Sequence, residues 1–361
     1  MRILVRVDAG TELGFGHVMR CLALSIELRN MGVKVYFATR YLPGGAIKLI
    51  RDSDFEIEEI PSETHADRLH STPQCKELSS EDIKATLGAA KRIGAQCILI
   101  DHYGATSDYL SAIRLSGLHL ALIDDIADRD LTAVDWLLNQ NLGAENLTYN
   151  CRPDCVKLFG PNYALIQPVF SERRQQLLRT FSEEDNRVLV TLGGGDNTNL
   201  CVKILEAIKA TKIPLDVRCI LPSIGTLPAT VLNTPHKLNI LNKVTDMEQH
   251  MVWADLSINA GGSTCWELCC LGTPMIIVVL SPDQKRIAIS LAKEECALCL
   301  DEWEASTTPD KLVEATKTLL KNPEQRSAMV TRSQALVDGF GAERTAQSLI
   351  GRISQICSPS L

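Results

Sequence analysis

The sequence predicts an α/β protein built from two doubly wound, Rossmann-like domains facing a cleft. Three observations point there. Short β-prone runs alternate with helix-length stretches from residue 2 onward; the alternation breaks at a charged stretch over 171–186 and then restarts; and 361 residues at 45% hydrophobic content suffice for two buried cores. On this basis a first domain is expected over 1–170, a linker region over 171–186, a second domain over 187–345 and a terminal helix or tail over 346–361.

In the first half, residues 2–7 read as a strand and 18–31 as a helix, with Met19, Leu22, Ile26 and Leu28 on and around one face. Further strands are expected at 33–38, 55–60, 97–101, 119–124 and 136–139, and the polar 62–80 stretch as a long loop over the sheet. In the second half, strands are expected at 187–192, 215–221, 237–241, 255–259, 275–280 and 297–300. Pro309 and Pro323 mark helix starts, and the helix after Gly341 is read as able to cross back onto the first domain.

Composition narrows the function. A formal net charge of −7 with no basic tail, and only 5% aromatic residues, argue against a nucleic-acid partner. Many of the thirteen cysteines, among them Cys97, Cys219, Cys269 and Cys270, sit inside apolar runs, as small core residues of a reducing compartment do. Cys296-Ala-Leu-Cys299 has no second pair or histidine nearby, so no zinc site is expected. Arg2, Arg6 and Asp8 interrupt the apolar core that a signal peptide requires, and no apolar run approaches the ~18 residues of a membrane span. A cytoplasmic protein without membrane insertion is expected.

In doubly wound sheets, ligands bind outside the carboxyl ends of the strands, so the loops there hold the candidate residues. After the first strand come Asp8, Gly14, Gly16 and His17. The Gly14-Phe-Gly16 turn places His17 at a helix N-terminus, where the dipole disfavours imidazolium and leaves a neutral ring able to accept a proton. Asp101-His102-Tyr103, Asp124-Asp125 and the amides Asn139-Gln-Asn141 lie at later strand ends, where capping and turn chemistry compete with ligand contact.

In the second half, Leu256–Ala260 runs into Gly261-Gly262 and a helix from Ser263 to about Gly272, a βαβ turn with room for a phosphate. Unpaired N–H groups of Ser263, Thr264 and Cys265 are expected to face an anion. Gly193-Gly194-Gly195-Asp196 opens a second N–H cradle, Glu267 is placed to accept both hydroxyls of a ribose, and Gln284 starts another helix at the same edge. No group with metal-ligand spacing lies beside these positions, no lysine follows the glycines as in a P-loop, and no acidic residue stands where a nicotinamide-binding turn needs it. The chemistry is therefore expected to need neither a metal nor a cofactor.

Together, Arg6-Val-Asp-Ala-Gly, Gly14-Phe-Gly-His17-Val-Met-Arg20-Cys21, Asp101-His-Tyr103, Ile123-Asp-Asp-Ile-Ala-Asp-Arg129, Leu138-Asn-Gln-Asn-Leu142, Gly160-Pro-Asn-Tyr-Ala-Leu165, Gly193-Gly-Gly-Asp196 and Ala260-Gly-Gly-Ser-Thr-Cys-Trp-Glu267 resemble the UDP-2,4-diacetamido-2,4,6-trideoxy-β-L-altropyranose hydrolases of pseudaminic acid biosynthesis. The resemblance runs from residue 2 to about 345. It implies a GT-B-like fold and inverting hydrolysis of the anomeric bond with release of UDP, the partners being the UDP-sugar and water. It assigns His17 as the base that activates water and the 261–267 segment to UDP; from its own glycine cradle, Gly194 is expected to share the diphosphate. The sugar pocket is expected to involve Asp8, Gly16, His102, Tyr103, Gln167 and Gln284. Two departures touch that pocket: Gln167 stands where family members often have arginine, and Asp283 where they tend to have asparagine.

Overall fold

The computed structural model describes all residues except 11–12, 43–45, 62–76, 196, 222–227, 243, 305 and 358–361, and the side chains of residues 283, 356 and 357. Most of the loop expected at 62–80, and Asp196 of the second glycine cradle, therefore lie outside the described residues. The chain forms two compact units, Met1–Gln167 with Phe340–Leu361, and Pro168–Gly339.

The first unit contains β1 (Arg2–Val7), α1 (Gly16–Asn30), β2 (Lys34–Arg40), α2 (Ala46–Asp52), β3 (Glu56–Ile60), α3 (Ser80–Ile93), β4 (Cys97–Asp101), α4 (Ser107–Leu115), β5 (His119–Ile123), β6 (Asp130–Leu131), β7 (Trp136–Asn139), β8 (Asn150–Cys151) and β9 (Val156–Phe159). Seven strands form a parallel sheet in the order β3-β2-β1-β4-β5-β7-β9, and β6 and β8 form a separate short pair. Its central strands are apolar on both sides because both faces are covered. Ile3, Val5 and Val7 pack with α1 in one core, while Leu4, Ile98 and Ile100 enter the other with Ala89, Ala90 and Leu110. The strand order reverses between β1 and β4, so the crevice of this sheet opens at their carboxyl ends.

The second unit contains α5 (Pro168–Gln175), β10 (Arg187–Thr191), α6 (Thr198–Ile208), β11 (Asp216–Leu221), α7 (Ala229–Leu232), β12 (Lys237–Asn242), α8 (Met247–Trp253), β13 (Leu256–Ala260), α9 (Thr264–Leu271), β14 (Met275–Val279), α10 (Pro282–Lys293), β15 (Leu298–Glu302), α11 (Thr308–Leu320) and α12 (Pro323–Leu336). Its six parallel strands run β12-β11-β10-β13-β14-β15, and the order reverses between β10 and β13. Two doubly wound, Rossmann-like units are thus present, as the alternation of runs implies.

Three features differ from the sequence expectation. Residues 171–186 are not a free linker but part of the second unit: α5 covers their start, and Arg179 donates to the carbonyls of Leu271 (3.0 Å), Ala254 (2.8 Å) and Met251 (2.8 Å) and to Thr273 Oγ1 (2.7 Å). A charged composition hides this, because the arginine serves carbonyls at helix ends rather than water. Strands β6, β8 and β9 lie outside the expected set: β6 and β8 are two residues each, and the Val-Lys-Leu-Phe pattern of β9 is too short and mixed to stand out. The final helix, α13 (Gly341–Cys357), starts before residue 346; it belongs to the first unit, in line with the reading of the helix after Gly341. There Ala342, Ala346, Leu349 and Ile353 enter the α1 core, and Trp136 Nε1 donates to Ser348 Oγ at 3.1 Å. Among the described residues, no helix is long and apolar enough to cross a membrane.

Candidate functional site

In the first unit the pairing of Val7 with Asp101 brings the ends of β1 and β4 side by side. The chain leaves β1 through a turn in which Gly14, at φ +75°, donates its N–H to the Gly10 carbonyl at 2.8 Å. It then enters α1 at Gly16, whose first turn has no side-chain cap and no acidic residue. His17 on that turn places Nδ1 2.6 Å from Asp101 Oδ1. Arg20, one turn on along the same face, donates from Nε and Nη2 to both Asp101 oxygens, at 2.7 and 2.6 Å.

This arrangement sets the tautomer. Burial raises the Asp101 carboxyl, but the Arg20 guanidinium and then the His17 ring outweigh it and hold the group well below the usual carboxylate range. An ionised carboxylate only accepts hydrogen bonds, so the proton of the neutral ring sits on Nδ1 and Nε2 keeps its lone pair. Arg20 Nη2 also lies 3.2 Å from Nδ1. Both are donors here, brought close by sharing Asp101 Oδ1. Nε2 has no partner among the described residues, and the His17 side chain is 20% exposed. Behind it, Arg20 Nη1 reaches Asp125 at 2.9 and 3.2 Å, and Asn141 Nδ2 donates to Asp125 Oδ1 at 2.8 Å. Tyr103 donates to Asp125 Oδ2 at 3.2 Å and stands edge-on to the His17 ring, 4.8 Å between centroids.

Of the expected sugar contacts, Gly16 and Tyr103 flank His17, whereas Asp8 and His102 turn inward. Asp8 accepts from Arg6, from the Arg40 backbone N–H and Nε (both 2.8 Å) and from Thr39, so its oxygens are spoken for. His102 Nδ1 accepts from the Gly104 N–H at 2.9 Å, which leaves Nε2–H toward Asp8 at 3.3 Å. Burial, against the pull of Asp8, keeps His102 below the usual histidine range. The two form a neutralised plug beneath the sheet edge, a position that strand-end location alone does not reveal. The amides of 139–141 also serve the turn: Asn139 Oδ1 accepts from the Asn141 N–H, and Gln140 Oε1 from the Leu165 N–H. Asp124 caps the N–H groups of Ile126 and Ala127. Gln167 is half-buried at the last residue of the first unit's main segment.

In the second unit the pairing of Thr191 with Asn259 sets Gly193-Gly194 beside Gly261-Gly262. Gly193 has φ +82°, and Gly194 is exposed. A β-carbon on Gly261 would lie 2.8 Å from the Gln284 carbonyl, whereas one on Gly262 would meet open space. The first turn of α10 thus presses against the glycine turn. Gln284 Oε1 is engaged there by the Leu280 N–H at 3.3 Å, so this expected sugar contact has its amide oxygen turned to its own loop. The side chain of Asp283 lies outside the described residues. Cys265 N–H donates to the Gly262 carbonyl at 3.0 Å, which narrows the expected anion donors to Ser263 and Thr264. The Ser263 hydroxyl does not cap α9 and has no hydrogen-bond partner among the described residues. Glu267 is half-buried with no side-chain partner among the described residues, and burial pushes its carboxyl up to about 7.

Sequence reasoning singled out His17 and Glu267 but not Arg20, nor Asp101 as the group that orients His17. The signal available was the i, i+3 spacing of His17 and Arg20 on one helix face beside an acidic strand end. Among the described residues, no group of three or more His, Cys, Asp or Glu side chains is arranged to hold a metal ion.

Residues 225–347 match the family model described as the glycosyltransferase family 28 C-terminal domain. Over 220 residues the chain is 29% identical to the UDP-2,4-diacetamido-2,4,6-trideoxy-β-L-altropyranose hydrolase of Campylobacter jejuni, covering 59% of this chain and 68% of that protein. It is 24% identical over 289 residues to an uncharacterised protein of Methanocaldococcus jannaschii, covering 77% of this chain and 55% of that one, so the chain spans about half the length of that relative. The fold matches the crystal structure of Acinetobacter baumannii MurG with a TM-score of 0.68 at 18% identity, covering 97% of this chain and 99% of that one. The fold is GT-B-like, and the resemblance to this hydrolase family, first drawn from the motifs, is borne out by sequence similarity.

Proposed function

We propose that this protein hydrolyses the anomeric C–O bond of UDP-2,4-diacetamido-2,4,6-trideoxy-β-L-altropyranose, with inversion, releasing UDP and the free diacetamido sugar for pseudaminic acid synthesis in the cytoplasm. The observation that supports this most directly is His17, with Nδ1 committed to Asp101 and Nε2 unpartnered among the described residues. Nε2 takes a proton from water as the water oxygen bonds to the anomeric carbon. The bond to UDP breaks on the opposite face and its electron pair leaves on the diphosphate, so the configuration inverts. Asp101 then faces an imidazolium, as the orienting carboxylate of a base should. The N–H groups of Ser263 and Thr264, with the exposed Gly193-Gly194 turn, are suited to the departing diphosphate, and Glu267 to the ribose hydroxyls. No step requires a metal.

A second reading, transfer of the sugar to an acceptor other than water, draws support from the glycosyltransferase family 28 match over 225–347. Incubating the protein with the UDP-sugar and EDTA, without acceptor, while following UDP and the sugar anomers by NMR separates the two. Acceptor-free release of the inverted anomer is the expected result. Release only on adding an acceptor would favour transfer, and failure to bind this UDP-sugar while UDP binds would favour a related diacetamido sugar, with Gln167 and Asp283 the first positions to change.

A further inference from the structure

Asp101 and Arg20 cancel each other's charge. With only these two behind it, a proton arriving on His17 would create an uncompensated cation in a largely desolvated site, which is costly. Arg20 from α1, Asp101 from β4 and Tyr103 from the following loop touch the His17 ring; behind them the Cys21 thiol lies on Asp101, and Asp125, from the loop after β5, lies on Arg20 and Tyr103. Asp125 is the second carboxylate of this set. With a neutral ring the set carries one net negative charge, and with imidazolium it is neutral. Asp125 is also held firmly: Arg20 reaches both its oxygens, Asn141 donates to Oδ1 and Tyr103 to Oδ2.

We propose that Asp125 is a positioning residue for His17, supplying through the Arg20 and Tyr103 bridges the second negative charge that balances the imidazolium formed during turnover. This rests on the assignment of His17 as the base. By the same network Asp125 holds the Tyr103 ring edge-on to the imidazole, which limits rotation of the base.

The test uses the full-length protein and a readout that needs no substrate. Asp125→Asn is nearly isosteric and still accepts hydrogen bonds from Arg20 and Tyr103. Nitrogen-15 NMR of histidine-labelled protein, with the His17 signal identified by its loss in His17→Asn, should show the Nδ1–H tautomer. In Asp125→Asn the His17 titration midpoint should move to lower pH by about one unit, a tenfold weaker proton affinity. Asp125→Glu, which keeps the charge, should leave the midpoint near that of the unmodified protein. On the UDP-sugar, Asp125→Asn should lower kcat about tenfold with KM nearly constant, and should cost nothing further in a His17→Asn background. An unmoved midpoint overturns the proposal, as does a change confined to KM or a loss that adds to that of His17→Asn. If the midpoint moves as expected but the unmodified protein leaves the UDP-sugar intact, the charge-balancing role stands and the hydrolase assignment fails.

Discussion

Glu267 and His17 illustrate how differently two site residues are prepared. His17 is pre-organised by partners, whereas Glu267 has no side-chain partner among the described residues, and burial alone pushes its carboxyl up to about 7. If Glu267 takes the ribose as proposed, hydrogen bonds from its hydroxyls favour the charged form, and the carboxyl titrates lower in the complex than in the free protein. Below about pH 7 the free carboxyl is protonated and binding has to expel that proton; above it the carboxylate is ready. UDP affinity should therefore fall as pH drops through 7, being about tenfold weaker at pH 6 than at pH 8, with proton release on binding. Calorimetry in two buffers of different ionisation enthalpy checks this, and Glu267→Gln should flatten the dependence. His17→Asn should leave UDP affinity intact while reducing turnover by about 10²–10⁴-fold, the range of a lost general base. Equal losses in affinity and rate would instead make His17 a binding residue.

At the scale of elements, the two adjoining glycines after β13 have separable roles. Gly261 admits the Gln284 carbonyl of α10, and a β-carbon 2.8 Å from that backbone oxygen cannot be relieved by a side-chain rotation. Gly261→Ala should cost about 1–3 kcal/mol of stability by forcing α10 away from the turn, and should weaken UDP binding with it. Gly262→Ala meets open space, so the melting temperature should hold, and any loss of UDP affinity then reports directly on ligand approach. Denaturant unfolding combined with UDP titration of both variants distinguishes the packing role of Gly261 from the ligand-facing role proposed for Gly262.

Across the whole molecule, the chain's end is part of its beginning. Helix α13 supplies Ala342, Ala346, Leu349 and Ile353 to the core built on β1 and α1, and Ser348 pairs with Trp136. Ending the chain after Gly339 should destabilise the first unit by more than about 3 kcal/mol, since the buried Leu349 and Ile353 alone contribute about 1.5–3 kcal/mol each. Hydrogen exchange should show β1, β4 and α1 losing protection while β10, β13 and α9 keep theirs. Equal protection in both units before and after truncation would contradict this.

The sequence by itself determined the secondary structure around the sites. Central strands such as 97–101 and 136–139 were readable to the residue, because parallel strands buried on both faces must be continuous apolar runs. Helix α9 ends at Gly272, in the left-handed conformation that a glycine makes cheap, so its limits were readable too. His17 and Glu267 stood out because glycine turns at strand ends announce a site. Tertiary structure alone decided which polar residues face it. Asp8 and His102 share the strand-end position of Tyr103, yet Arg6, Arg40 and the Gly104 N–H draw them inward, whereas Arg20, Asp101 and Asp125 converge on His17. Arg179 likewise looks like a linker charge until its four acceptors are assembled around it. The physical reason is common to all of them. Local periodicity records what a residue's own segment needs, but the partner that satisfies a buried charge comes from distant strands and loops, 105 positions away for Arg20 and Asp125, and only folding brings the two together.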